Sequence, residues 1–166
     1  RATSNPFFKS TMSHSPKSSP PVGGRAVLLS IKPKYADLIL EGSKTVELRR
    51  SWAAQDVATI VIYASSPIQK LVGIVTVKEV KKVSLTQLWK ISKAHGGGLS
   101  NIELKEYYKG KERGYAVMLG HVVKAKVPVE PSRLFAQFVP PQSFRYLNEK
   151  ELKQIEKKLL GKKGQS

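Results

Sequence analysis

The sequence contains no cysteine, which excludes disulfide bonds and every zinc site built on thiolates. Histidine is scarce as well: the three histidines lie far apart in the sequence, so none has a second histidine at metal-binding spacing. We therefore expect no metal ion and no cofactor. A chain without cysteine also suits a reducing compartment, and we expect a cytoplasmic protein.

Long apolar runs are absent too. No stretch approaches the roughly 18 apolar residues that a membrane-spanning helix needs, so a membrane is not an expected partner. The N-terminal residues likewise lack the apolar core of a secretory signal.

Acidic residues are few, with 12 Asp and Glu against 29 Lys and Arg, for a net charge of +17. Residues 1–25 carry +4 and residues 148–166 carry +3, so residues 26–147 keep +10. A compact module with this excess attracts polyanions, of which nucleic acid is the simplest. The alternative is a solubilising surface, since basic side chains bind phosphate without choosing a sequence.

The composition divides the chain into three parts. Residues 1–25 are rich in Ser and Pro and poor in apolar side chains, so we expect a disordered segment. Met12 is a candidate natural start, in which case residues 1–11 are an addition to the chain. Residues 26–147 are expected to fold as one domain, followed by a helix and basic tail over 148–166.

The hydrophobic pattern predicts a mixture of strands and helices, and hence an α+β fold. The predicted strands cover residues 26–31, 45–49, 57–64 and 71–80, a pair at 114–120 and 122–129, and a closing strand within 140–147. The predicted helices cover residues 33–41, two segments capped by Ser84 and Ser100, and residues 149–160.

The most informative stretch is GSKTVELR, residues 42–49. Val46 and Leu48 alternate with Glu47 and Arg49, which predicts a half-buried strand with the two charged residues on one face. Strict alternation would place Lys44 on the opposite face from Glu47. Both reach one cleft only if Lys44 lies in a turn before the strand or at a bulge. The alternative is a solvated strand face with an ordinary ion pair.

The pattern G-x-K-x-x-E-x-R in residues 42–49 resembles the ASCH family, a branch of the PUA-like modules associated with RNA. Three further segments stand in the family's order: LSIKP at 29–33, YASSP at 63–67 and PPQSFRYL at 140–147. Residues 25–147 are similar to a bacterial or phage-type ASCH protein. The resemblance implies a small β-barrel with flanking helices and a helical insertion between strands.

On this interpretation Lys44 and Arg49 bind a phosphate or a carbonyl group, and Glu47 accepts hydrogen bonds from base amino groups. The expected ligand-binding residues are Lys32, Lys44, Glu47, Arg49, Trp52, Ser65, Gln142, Ser143 and Arg145. Trp52 also has a purely structural interpretation, because a Trp beside a strand end often packs on the core instead of stacking on a base. His121, among apolar neighbours, is expected to be structural.

Three classes of function follow from the resemblance. The first is binding of RNA or a modified nucleoside, with DNA as an alternative ligand. The second is hydrolysis, for which Lys44 and Glu47 are the catalytic candidates. The third is a regulatory interaction domain, although no helix-turn-helix accompanies the module. The oligomeric state is left open.

The hydrolase alternative has two forms. In a ribonuclease, Glu47 is the candidate general base, while Lys44 and Arg49 stabilise the phosphate charge. In an amidohydrolase acting on acetylcytidine, Lys44 matches the family pattern, but Glu47 stands where those enzymes have Thr. Glu103 and Glu106 are regional candidates for their second acidic residue. Glu47 beside Lys44 is expected to raise the pKa of the lysine, which would make it a poor base.

Overall fold

The computed structural model describes residues 24–54 and 56–161. Most of the segment expected to be disordered, residues 1–23, lies outside the described residues, as do residues 162–166 of the predicted tail. Arg25, assigned to that first segment, instead begins the first strand.

The described residues form six strands and four α-helices, so the α+β class is confirmed. The strands are β1 (Arg25–Ile31), β2 (Val46–Arg49), β3 (Val57–Ala64), β4 (Lys70–Ser84), β5 (Arg113–Val129) and β6 (Phe144–Leu147). The helices are α1 (Pro33–Leu40), α2 (Leu85–Ala94), α3 (Asn101–Tyr107) and α4 (Glu149–Leu160). A single 3-10 turn covers Pro131–Arg133. None of the described helices has the length and apolar character needed to cross a bilayer.

All six strands belong to one mixed sheet, in the order β2-β5-β4-β3-β1-β6. Strands β1 and β3 run parallel, and the other neighbouring pairs are antiparallel. The described β2 and β6 form the two edges and do not pair with each other, so the expected closed barrel is not confirmed. The two edges are nevertheless connected by a side chain, since the Arg49 guanidinium on β2 donates to the Ser143 carbonyl just before β6 at 3.2 Å.

The predicted strand pair at 114–129 is one continuous strand, β5. Its pairing with β4 shifts register near Gly73, at Val75 and at Val77, which bends both strands without ending them. His121 lies beside one of these shifts and is exposed. Its backbone N–H donates to the Thr76 Oγ1 at 2.8 Å, and the nearby Leu119 is buried, so a structural role for His121 stays a prediction.

The helical insertion between β4 and β5 packs against the edge strand that carries the charged residues. Leu88 of α2 and Leu104 of α3 are fully buried against Val46 and Leu48 of β2. Burying each leucine stabilises the fold by about 1.5–3 kcal/mol. The helices approach closely because Gly114 has no side chain, since a Cβ there would collide with Leu88 and Tyr108. This packing holds β2 in place beneath the insertion.

Candidate functional site

The turn between α1 and β2 brings Lys44 to the same side of the sheet as Glu47. Gly42 has a positive φ of 91°, and the Lys44 backbone N–H donates to the Leu38 carbonyl at 3.0 Å. Regular pairing of β2 begins only at Val46, so strict alternation does not apply to Lys44. The Lys44 Nζ lies 3.7 Å from the Glu47 Oε1. The sequence left a turn and a bulge as alternatives, and the structure has the turn.

A loop that follows α2 covers this turn. The His95 carbonyl accepts the Thr45 backbone N–H at 2.8 Å, and the Gly97 carbonyl accepts the Lys44 Nζ at 2.7 Å. Gly96, with a φ of 66°, lies so close to the Ser43 carbonyl that a Cβ would collide with it. The side chain of Lys44 is therefore enclosed, and the residue is only 3% exposed.

Lys44, Glu47 and Arg49 form a chain of charges that we call the ionic trio. The Arg49 Nη1 donates to the Glu47 Oε2 at 2.9 Å, while the Glu47 Oε1 faces Lys44. The second guanidinium nitrogen of Arg49 donates to the Ser143 carbonyl at 3.2 Å. Glu47 is 7% exposed and Arg49 is partly buried, so the trio is largely buried and is not the solvated strand face that the sequence also allowed.

Burial lowers the pKa of Lys44, because removing the ammonium group from water disfavours its charged form. The nearby Glu47 carboxylate opposes this effect, but the net direction is downward. Glu47 thus raises the pKa of Lys44 as expected, but the expectation of a net rise is wrong, because the burial of the lysine outweighs the effect of the carboxylate.

Two tyrosines of the insertion lie beside Arg49. The Tyr108 hydroxyl donates to the Arg49 carbonyl at 3.0 Å, and the Tyr107 and Tyr108 rings meet edge to face at 4.8 Å. Burial raises the pKa of both hydroxyls, so they stay protonated near neutral pH. The Tyr108 hydroxyl therefore anchors the backbone of Arg49 to the insertion.

A cleft of about 530 Å³ opens above the trio. Its volume lies within the roughly 300–1,000 Å³ typical of small-molecule sites. The trio and the Gly97 backbone line its floor. The other lining residues are Ser30, Ile31, Lys32, Tyr35, Leu48, Leu99, Glu103, Glu106, Tyr107 and Gln142. The cleft is thus charged on its floor, largely apolar on its walls and polar at its rim.

Of the residues expected from the sequence, the cleft brings together Lys32, Gln142 and the trio. Ser143 contributes its carbonyl oxygen, as the acceptor for Arg49. Glu103 and Glu106, the regional candidates of the amidohydrolase alternative, also line this cleft as exposed residues at its rim.

Ser143 and three other expected residues do not line the cleft. Trp52 packs against Phe144, with 6.2 Å between the ring centroids, which is the packing role that the sequence offered as the alternative to base stacking. The Ser65 backbone N–H donates to the Ile31 carbonyl. Arg145 points towards α4, where it forms an ion pair with Glu151 at 2.8 Å.

The sequence did not identify Tyr35, Leu99, Tyr107 or the Gly97 carbonyl as parts of the site. Tyr35 and Tyr107 lie on the apolar stripes of α1 and α3, and such stripes usually indicate core positions. Tyr107 is instead 37% exposed and faces the cleft. Within the residues that the structure describes, no cluster of three or more His, Cys, Asp or Glu side chains could hold a metal ion.

Comparison with known proteins identifies relatives over most of the chain. The ASCH domain model matches residues 29–157. An ASCH domain-containing ribonuclease of Zymomonas mobilis is 28% identical over 138 residues, covering 79% of this chain and 90% of that protein. The large ribosomal subunit protein uL22 of Ureaplasma parvum is 26% identical over 123 residues, covering 73% of this chain but only 39% of that protein.

Solved structures agree with the sequence comparison. The crystal structure of ASCH from Zymomonas mobilis superposes with a TM-score of 0.73 at 26% identity, covering 79% of this chain and 93% of that one. The N-terminal domain of Staphylothermus marinus McrB has a TM-score of 0.53 at 15% identity, covering 85% of this chain and 98% of that one, and shares the fold alone. With its family model matching well over half of its length, the chain belongs to the ASCH domain family.

Proposed function

We propose that this ASCH domain binds RNA and takes one nucleoside unit of the strand into the cleft above the ionic trio. The observation that carries the proposal is the largely buried trio, with its charges fixed on the floor of a nucleoside-sized cleft. Buried charges are rare unless they are paired, and these three are paired and still line the cleft.

The chemistry of the cleft suits a nucleobase. Tyr35 and Tyr107 supply aromatic surface, and stacking of a base on such a side chain contributes about 1–3 kcal/mol. Lys44 and Arg49 offer donors for a base carbonyl or a phosphate, and Glu47 offers an acceptor for amino groups. Because protein contacts already hold the trio in place, binding costs little further ordering of these side chains.

Two further observations support RNA as the ligand class. The chain carries a net charge of +17, and Lys32 stands exposed at the rim of the cleft. A relative that covers most of this chain is named a ribonuclease. Single-stranded DNA is the comparison ligand, because the 2′-hydroxyl is what distinguishes the two.

Reversing the charge at the rim tests the location of binding. We expect Lys32→Glu to weaken binding of single-stranded RNA about five- to tenfold at low salt, since the new carboxylate repels phosphate. Lys124→Glu is the matched control: Lys124 is exposed on β5 and lines neither the cleft nor its neighbouring hollow. Fluorescence anisotropy of labelled RNA measures both. Equal losses in the two variants would show that binding depends on overall charge and not on the cleft.

RNA cleavage is the second candidate function, favoured by the name of the Zymomonas relative. In transphosphorylation the 2′-oxygen attacks the adjacent phosphorus, the bond to the 5′-oxygen breaks, and a base and an acid handle the two protons. Lys44 and Arg49 stand where they could stabilise the phosphate charge. Both oxygens of Glu47 already face cations, which disfavours it as the base. Glu106 at the rim is freer to take that role, because the Glu103 carboxylate is held in the capping box of α3, where it accepts the Ser100 backbone N–H.

Incubation with labelled RNA tests this second function. We expect Lys44→Met to reduce cleavage at least tenfold, because it removes a cation from the floor of the cleft, whereas Lys124→Glu cleaves like the wild type. Activity from a contaminating nuclease would be the same in both variants. Acetylcytidine in a parallel incubation reports the amidohydrolase alternative. Tight binding of RNA without turnover of RNA or acetylcytidine would contradict both hydrolase activities and would leave RNA binding as the function.

A further inference from the structure

A second hollow, of about 350 Å³, adjoins the cleft. The two share Arg49, Tyr107 and Gln142 as a common wall. The remaining lining residues of the second hollow are Arg50, Ser51, Lys111 and Ser143, and we call it the Arg50 hollow. A ligand in the cleft can therefore continue past Arg49 into the Arg50 hollow without leaving the protein surface.

The Arg50 hollow is lined by cations and has no carboxylate. Arg49, Arg50 and Lys111 contribute positive charge, and none of its lining residues is Asp or Glu. Arg50 and Lys111 are exposed, and across residues 24–54 and 56–161 neither forms an ion pair. Cations gathered without a counterion in a concave surface create a positive potential that attracts an anion.

The cleft and the Arg50 hollow differ in chemistry. The cleft has the aromatic and apolar walls that suit a base, and the carboxylates of Glu103 and Glu106 at its rim offset the positive charge of Lys32 there. The Arg50 hollow offers guanidinium and ammonium groups, the Ser51 hydroxyl and the Gln142 amide, which are donors for phosphate oxygens. A base followed by a phosphate in the ligand therefore matches the cleft followed by the Arg50 hollow along the protein surface.

We propose that the Arg50 hollow binds the phosphodiester next to the nucleoside held in the cleft. The ligand of this protein is then an oligonucleotide and not a free nucleoside. This inference rests on the proposed function, because the hollow extends a cleft that must hold a nucleoside. It adds a second binding site with its own residues, Arg50 and Lys111, which the family pattern in residues 42–49 does not include.

Two measurements on the full chain test the phosphate site. The first is competition against labelled single-stranded RNA by a mixture of the four nucleosides and, separately, by a mixture of dinucleoside monophosphates. We expect the dinucleoside monophosphates to compete at concentrations at least tenfold lower. The second is the salt dependence of RNA binding in the double variant Arg50→Gln/Lys111→Gln. Its slope is expected to fall by about 0.7 for each lost phosphate contact, and its affinity about tenfold.

The matched control is Lys157→Gln/Lys158→Gln, which removes the same charge from exposed positions on α4. Equal competition by the two mixtures, or an equal change in slope for the two double variants, would overturn the phosphate site. If the wild-type protein binds no RNA at all, the proposed function fails first and the phosphate site with it. RNA binding that responds to Lys32→Glu but not to Arg50→Gln/Lys111→Gln would overturn the phosphate site alone.

Discussion

Glu47→Gln is expected to lower the free energy of unfolding by about 3–5 kcal/mol, because it leaves the buried Lys44 and the partly buried Arg49 without their shared carboxylate. Lys44 and Arg49 both contact Glu47, and in the described part of the chain neither has another ion-pair partner. Glutamine has the same size, so the expected loss comes from charge and not from a cavity. Equilibrium unfolding in urea, followed by circular dichroism, measures the effect.

Two further variants identify the cause of such a loss. Lys44→Met/Glu47→Gln removes one of the stranded cations, and it should therefore be more stable than Glu47→Gln alone. Glu79→Gln removes an exposed carboxylate that pairs with Lys81 at 3.6 Å, and it should cost less than about 1 kcal/mol. A loss below about 1 kcal/mol in Glu47→Gln would mean that water reaches the cations, and the account of a buried trio would then be wrong.

The elements that the sequence predicted best are those with local signals. Ser100 caps α3 as predicted, and Glu103 completes a capping box with it, because both halves of that motif lie within one turn of helix. The strand predicted at residues 57–64 matches β3. A closed barrel would instead require pairing between the edge strands β2 and β6. These strands are far apart in the sequence, so no local sequence pattern indicates whether they pair.

The candidate site was predictable where one short segment supplies it. Lys44, Glu47 and Arg49 fall within six consecutive residues, so a single turn and strand decide that they converge. Arg145 was assigned to the same site, but the position of α4 draws it to Glu151. The Gly97 carbonyl and Tyr107 come from the insertion, and only the tertiary packing of α2 and α3 places them at the cleft.

Arg49→Gln is expected to weaken RNA binding about 10- to 100-fold, the largest effect on binding that the structure predicts. Arg49 lines both the cleft and the Arg50 hollow, so a ligand that spans them must pass its guanidinium. Hydrogen bonds to a charged group contribute about 1.5–3 kcal/mol, which corresponds to this range of affinity. Anisotropy titrations at several salt concentrations measure the loss and should also show a shallower salt slope.

Arg49→Lys separates the charge of this residue from its shape. Lysine keeps the positive charge but lacks the planar fork with which Arg49 donates to the Glu47 carboxylate and the Ser143 carbonyl together. We expect Arg49→Lys to keep the salt slope of the wild type and to bind RNA with an affinity between those of the wild type and Arg49→Gln. Urea unfolding must show that all three proteins are folded under the assay conditions. If Arg49→Lys binds as weakly as Arg49→Gln, the guanidinium acts by bridging β2 to the segment before β6, and its charge contributes little. If both variants bind like the wild type, RNA does not pass Arg49, and the continuous path from the cleft to the Arg50 hollow is wrong.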